Sequence, residues 1–158
     1  MSERPTWNEY FMKMAVLVSE RSTCIRRQVG AVLVKNNQII TTGYNGVPKN
    51  ISHCTKATCT RETQNIPSGE KHELCLAVHA EQNAIIQAAV NGTNILGAVL
   101  YSTTFPCSIC AKMIINAEIK MIFILDTYPD PLAKRLFADA GVDVILFNPH
   151  DKSLQKIC

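Results

Sequence analysis

Ala98-Val-Leu-Tyr-Ser-Thr-Thr-Phe-Pro-Cys-Ser-Ile-Cys-Ala-Lys112 reads as a strand, a turn and the opening of a helix. Residues 98–103 form a short β-prone run. Pro106 stands just before a helical segment over 107–117, where its missing N–H is harmless. Downstream the same alternation repeats. Residues 120–125 are an apolar strand, Pro131 to Ala140 a helix closed by Gly141, and 142–147 a last strand. Upstream, residues 80–90 form a helix with Ala84, Ile85, Ala88 and Ala89 on one face, stopped at Asn91-Gly92. Further upstream, residues 7–21 are helical through Phe11, Met14, Ala15 and Val18. The runs 30–34 and 38–42 pair across Asn36-Asn37 as a hairpin. The predicted fold is therefore α/β: one five-stranded mixed sheet with helices on both faces.

Two motifs open two of these helices. Cys107 and Cys110 are three apart and share a helix side, and His79-Ala80-Glu81 begins the preceding helix. Three such ligands suit zinc, which in catalytic sites leaves a fourth position for water. Helix N-termini also favour thiolates. Glu81 is then placed to move protons between that water and a substrate. The pairing of H-x-E with P-C-x-x-C is an established signature of zinc deaminases.

Composition sets bounds. The 158 residues are 47% hydrophobic and 18% charged, so one folded domain over 1–158 is expected. A net charge of +3 permits an anionic ligand but does not suggest a surface that coats nucleic acid. No run of about 18 apolar residues occurs, so no membrane span is expected. The opening MSERPTWNEYF lacks secretory signal features, and a cytoplasmic location is the expectation. Seven cysteines in such a chain point to metal or thiol chemistry before disulfides. His53, Cys54, Cys59, His72 and Cys75 crowd into residues 45–76, a stretch with no apolar period that needs a staple or a function. The pair Arg26-Arg27 could approach a phosphate. The tail is polar and expected to be loosely held, with Cys158 a free thiol and His150 on the surface.

The segments Trp7-Asn-Glu-Tyr-Phe-Met12, Arg21-Ser-Thr-Cys24, Val29-Gly-Ala31, Gly43-Tyr-Asn-Gly46, His79-Ala-Glu-Gln-Asn-Ala-Ile85, Pro106-Cys-Ser-Ile-Cys-Ala-Lys112 and Asp126-Thr-Tyr128 carry a resemblance. From Trp7 to Val144 the chain resembles the deoxycytidylate (dCMP) deaminase family, including its bacterial late-competence-type members. The resemblance implies a cytidine-deaminase-like three-layer fold. It implies zinc-dependent hydrolysis of dCMP to deoxyuridylate (dUMP) and ammonia, supplying thymidylate synthesis. It places Asn45 against the sugar or base and Tyr128 on the phosphate side; the basic pair, read from the residues alone, offers Arg26 as a further contact. It implies a second, structural zinc in the insertion, with Cys24, Cys54, His72 and Cys75 as ligands and Cys59 or His53 as replacements. A homo-oligomer, often a hexamer, regulated by dCTP and dTTP with magnesium, is implied too. One position departs: Glu118 stands where the family carries glycine after a helix. Two other readings stay open: a deaminase of another cytosine or adenine substrate (nucleoside, base or tRNA), and a non-catalytic, competence-associated nucleic-acid-binding protein.

Overall fold

Asn36 and Asn37 both sit in the left-handed region, at φ +52° and +57°. Asparagine tolerates this conformation, and two such residues make the turn that matches strand twist in a hairpin. They join β1 (Gly30–Lys35) to β2 (Gln38–Tyr44). The computed structural model describes residues 4–158, so the expectations for the first three residues lie outside it. The hairpin is extended by β3 (Val99–Ser102), β4 (Met121–Ile124), β5 (Asp143–Phe147) and β6 (Leu154–Lys156). The sheet order is β2-β1-β3-β4-β5-β6. β3, β4 and β5 are parallel, and the remaining pairs are antiparallel.

The sixth strand corrects two expectations: five strands, and a loosely held tail. All three residues of β6 are exposed, so no apolar pattern marks them. Backbone pairing along the β5 edge holds them instead. Beyond β6, Ile157 N–H donates to the Val144 carbonyl and Val144 N–H to the Cys158 carbonyl. Ile157 and Cys158 then pack against the core, and burial pushes the Cys158 thiol up.

Alternation along the strands divides the core in two. Val32, Val34, Tyr101, Phe123 and Phe147 face α1 (Trp7–Ser19), which contributes Phe11, Met12 and Ala15. Ala31, Leu33, Leu100, Ile122 and Val144 face the opposite way. There they meet α3 (Ala80–Val90), α4 (Ser108–Asn116) and α5 (Pro131–Ala140). Phe11 and Phe137, 1% and 0% exposed, anchor opposite layers. Burial of each is worth about 2–3 kcal/mol. Two glycines let helices touch the sheet. A Cβ on Gly30 would collide with the Ala15 carbonyl of α1, and one on Gly43 with the Ala80 carbonyl and Ala84 nitrogen of α3. Among the described residues no helix is long and apolar enough to cross a membrane.

The crossovers bring two helix starts together. Asp130 caps α5 by accepting from Ala133 N–H at 2.9 Å through Oδ1. Its Oδ2 accepts from Ser108 N–H, the first residue of α4, at 2.8 Å. One carboxylate thus satisfies the open donors of two helices. At the other end of α4, Glu118 takes φ +57°. Its N–H reaches the Ile115 carbonyl and Ile119 N–H the Ile114 carbonyl. The left-handed cap that glycine would ease is therefore made by glutamate, at a cost of about 1–2 kcal/mol.

Candidate active site

His79 and Cys107 occupy equivalent positions, immediately before α3 and α4. Both have extended backbone, at φ/ψ −72°/158° and −69°/169°, which turns each side chain across its helix start. His79 N–H donates to Gln82 Oε1 at 2.9 Å, fixing the entry to α3. Cys110 lies three residues further along α4 and is fully buried. His79 Nδ1 stands 3.4 Å from the Sγ of Cys107 and 3.4 Å from that of Cys110. A tetrahedral zinc with ordinary Zn–N and Zn–S lengths puts such atoms about 3.6 Å apart, so the donor set fits the ion. All three donor atoms lie within 4.8 Å of one another, and among the described residues no fourth side chain joins them. The arrangement is that of a site with one open position.

The electrostatics agree with a metal that takes over a shared proton. Its hydrogen bond with Cys110 holds the Cys107 thiol down at about 4 against the effect of burial, and His79 acts the same way. The same contact and burial push Cys110 up. A metal would bind both sulfurs as thiolates, so its uptake here is coupled to proton release. Burial opposes charge on His79, yet the bond and charge of Cys107, aided by Glu81, raise it.

Glu81 is 3% exposed, in the first turn of α3. Ser102 Oγ donates to its Oε1 at 3.1 Å, and Cys110 Sγ lies 3.5 Å from its Oε2. Ser102 ends β3 on the same face as Leu100, which points it at α3. Burial raises the Glu81 carboxyl above the ordinary carboxylate range, despite its backbone hydrogen bond, His79 and Ser102 pulling the other way. A cavity of about 220 Å³ opens onto Glu81, His79 and Cys107. It lies beyond the carboxyl ends of parallel strands, where open α/β sheets place their ligands.

Residues 5–126 match the family described as the cytidine and deoxycytidylate deaminase zinc-binding region. The chain belongs to this family. It is 38% identical over 154 residues to the deoxycytidylate deaminase of Schizosaccharomyces pombe, covering 96% of this chain and 47% of that protein. It thus spans about half the length of that relative. It is 38% identical over 143 residues to ComE operon protein 2 of Bacillus subtilis, covering 90% of this chain and 71% of that one. The solved dCMP deaminase of cyanophage S-TIM5, in complex with dCMP and dUMP, superposes with a TM-score of 0.75 at 33% identity. That alignment covers 90% of this chain and 98% of the other.

In this deaminase-family chain, the substrate contacts expected from sequence all line the cavity. Asn45 is 8% exposed and has ordinary negative φ. Its Oδ1 accepts from Ser22 Oγ at 2.6 Å and Val29 N–H at 2.8 Å, and its Nδ2 donates to the Arg27 carbonyl at 2.7 Å. These bonds fix the amide and tie β2 to the segment entering β1. Tyr128 lies under the Arg27 guanidinium, 5.8 Å from ring centroid to Cζ. Its hydroxyl is 3.4 Å from His72 Nε2, and burial raises it. Gly69, at φ +92°, leaves room for this tyrosine, since a Cβ there would come 2.6 Å from its hydroxyl. Arg27 pairs with Asp126 at 2.8 Å. Arg26 bonds to the Ile66 carbonyl and approaches Glu62.

The insertion is arranged differently from the expected ligand set. Cys24, Cys54, His72 and Cys75 do not form a compact group like that of His79, Cys107 and Cys110. His72 instead turns toward the main site, its ring 5.0 Å from that of His79. Burial lowers its pKa. Its Nδ1 is nevertheless buried without a hydrogen-bond partner among the described residues. Burial pushes the Cys54 thiol up, and Cys59, Cys75 and Cys24 act on it in the same direction. His53 is exposed and Cys59 buried. Sequence reasoning also missed Ser102, Asp130 and Arg61, which joins Arg26 and Arg27 on the cavity wall. Strand alternation from Leu100 was the available signal for Ser102. Asp130 before Pro131 was the signal for a cap. Arg61 gave none.

Proposed function

We propose that this chain deaminates dCMP hydrolytically, giving dUMP and ammonia. The observation that carries the reading is a buried Glu81 carboxyl beside a three-ligand set open on one side. His79, Cys107 and Cys110 would hold a zinc ion, which would supply Lewis acidity and lower the pKa of the attacking water toward neutrality. Glu81 would take a proton from the attacking water through the oxygen on the Cys110 side and pass it to the ring nitrogen as the water oxygen bonds to the amine-bearing carbon. Carrying the second proton from that oxygen to the amine would let the C–N bond break and release ammonia. Ser102 fixes the other carboxylate oxygen, so the carboxyl turns little between these transfers. Its raised pKa suits a group that must be base and acid in turn. Asn45 and Tyr128 flank base and phosphate, and Arg26 reaches the anion.

A panel of dCMP, cytidylate, deoxycytidine and a tRNA substrate, with ammonia measured, tests the substrate. Preference for the nucleoside or tRNA overturns it. Glu81→Gln should lower kcat by about 10²–10⁴-fold while keeping zinc. Full activity in that variant would overturn the Glu81 mechanism, and absence of turnover in the wild type would favour the non-catalytic binding reading.

A second zinc in the insertion belongs to the same reading. The orphaned His72 Nδ1 and the action of Cys24, Cys59 and Cys75 on the Cys54 thiol support it. Two zincs per chain are expected, and loss of one in either His72→Ala or Cys59→Ala identifies the fourth ligand. Assembly into a hexamer, a cytoplasmic location, and control by dCTP and dTTP with magnesium rest on family resemblance. Sedimentation and a triphosphate titration test the assembly and the control.

A further inference from the structure

Two arginines grip one short stretch of the insertion. Arg61 Nη2 donates to the Pro67 carbonyl at 2.9 Å, and Arg26 Nη2 donates to the adjoining Ile66 carbonyl at 2.9 Å. Each tie uses one nitrogen of a five-donor fork. Arg61 Nε and Arg26 Nη1 are buried and have no hydrogen-bond partner among the described residues. A buried donor on a cation is costly to leave unmade, and arginine cannot escape by shedding its proton.

The counter-charges do not close the account within the chain. Glu62 lies 3.6 Å from Arg26 Nε and is 45% exposed, which makes it a weak screen. Among the described residues no carboxylate lies within ion-pair distance of Arg61. Arg27 differs from both, because Asp126 already holds its guanidinium at 2.8 Å. Both guanidinium groups line the cavity that contains Glu81 and the His79–Cys107 pair. Arg61 comes from α2 (Thr60–Thr63) in the insertion, and Arg26 from the segment before β1. The two therefore approach one cavity from separate parts of the chain.

We propose that Arg61 and Arg26 together bind the 5′-phosphate of the substrate, and that Arg61 is a specificity-determining residue favouring nucleotide over nucleoside. The proposal rests on the deaminase reading above and adds the residue that selects the phosphorylated substrate. Paired guanidinium forks suit the tetrahedral dianion of a phosphomonoester. The Ile66 and Pro67 carbonyls hold both forks before substrate arrives.

The test compares wild type, Arg61→Met and Arg61→Lys as zinc-loaded protein. For Arg61→Met, kcat/KM on dCMP should fall about 10- to 100-fold through KM, the scale of a charged hydrogen bond. Turnover of deoxycytidine should be unchanged. Arg61→Lys should recover part of the loss. An equal fall on both substrates would mean that Arg61 merely braces the loop, and overturns the proposal. A second measurement needs no catalysis: calorimetry with inorganic phosphate. Wild type should bind saturably and more weakly as salt rises, and Arg61→Met should not. Absence of saturable binding to wild type, or equal binding to both, overturns the proposal even where a variant folds poorly. If wild type deaminates neither dCMP nor deoxycytidine, the deaminase reading fails and the phosphate measurement still judges Arg61.

Discussion

His79, Cys107 and Cys110 are carried by helix starts that rest on the sheet. Cys54, Cys59, His72 and Cys75 lie in a stretch whose regular structure is a four-residue helix and one 3-10 turn over His72–Leu74. The first group is compact as the chain folds, with both sulfurs 3.4 Å from the imidazole nitrogen. The second does not gather into such a group, and its imidazole turns toward the main site. Secondary structure can pre-assemble a ligand set when caps and a three-residue spacing aim the side chains. A loop cannot, and its metal has to help fold it.

The strongest way to break this contrast is to remove one ligand from each region. Cys110→Ala should abolish measurable activity and one zinc per chain by metal analysis, with the circular dichroism spectrum kept. Cys54→Ala should also lose one zinc, yet retain turnover of deoxycytidine, while limited proteolysis cuts within residues 45–76. Equal losses of activity in both variants would erase the distinction. A smaller effect is expected at Gly43, where Ala must push against the backbone of α3. Gly43→Ala should cost about 1–3 kcal/mol in denaturant unfolding and loosen zinc at the main site. Asp130→Ala removes a cap shared by α4 and α5 and should cost about 1–2 kcal/mol. Glu118→Gly is the smallest and has the opposite sign. Relief of about 1–2 kcal/mol of left-handed strain exceeds the entropy cost of glycine, about 0.4–1 kcal/mol. A small rise in Tm should follow.

Legibility in the sequence followed the same division. α5 runs from Pro131 to Ala140 as expected, because proline marks its start and Gly141 its end. The hairpin was readable from Asn36-Asn37, and the metal ligands from the spacing of two motifs. β6 escaped because an exposed edge strand held by backbone pairing leaves no hydrophobic trace. Arg61 escaped because its place is fixed by a carbonyl six residues away in an aperiodic loop, which no local pattern records. The position of His72 escaped for a related reason. Its spacing to Cys75 suits a metal, but packing against Tyr128 decides which way the ring faces.

At Gly43 nothing but backbone separates β2 from α3, so strand and helix meet as two flat rails. His79 caps that helix and Glu81 rides on its first turn. This part of the cavity wall is therefore anchored directly to the sheet. The opposite wall, from Arg61 past Gly69 to His72, is supplied by the insertion and has no such anchor in the sheet.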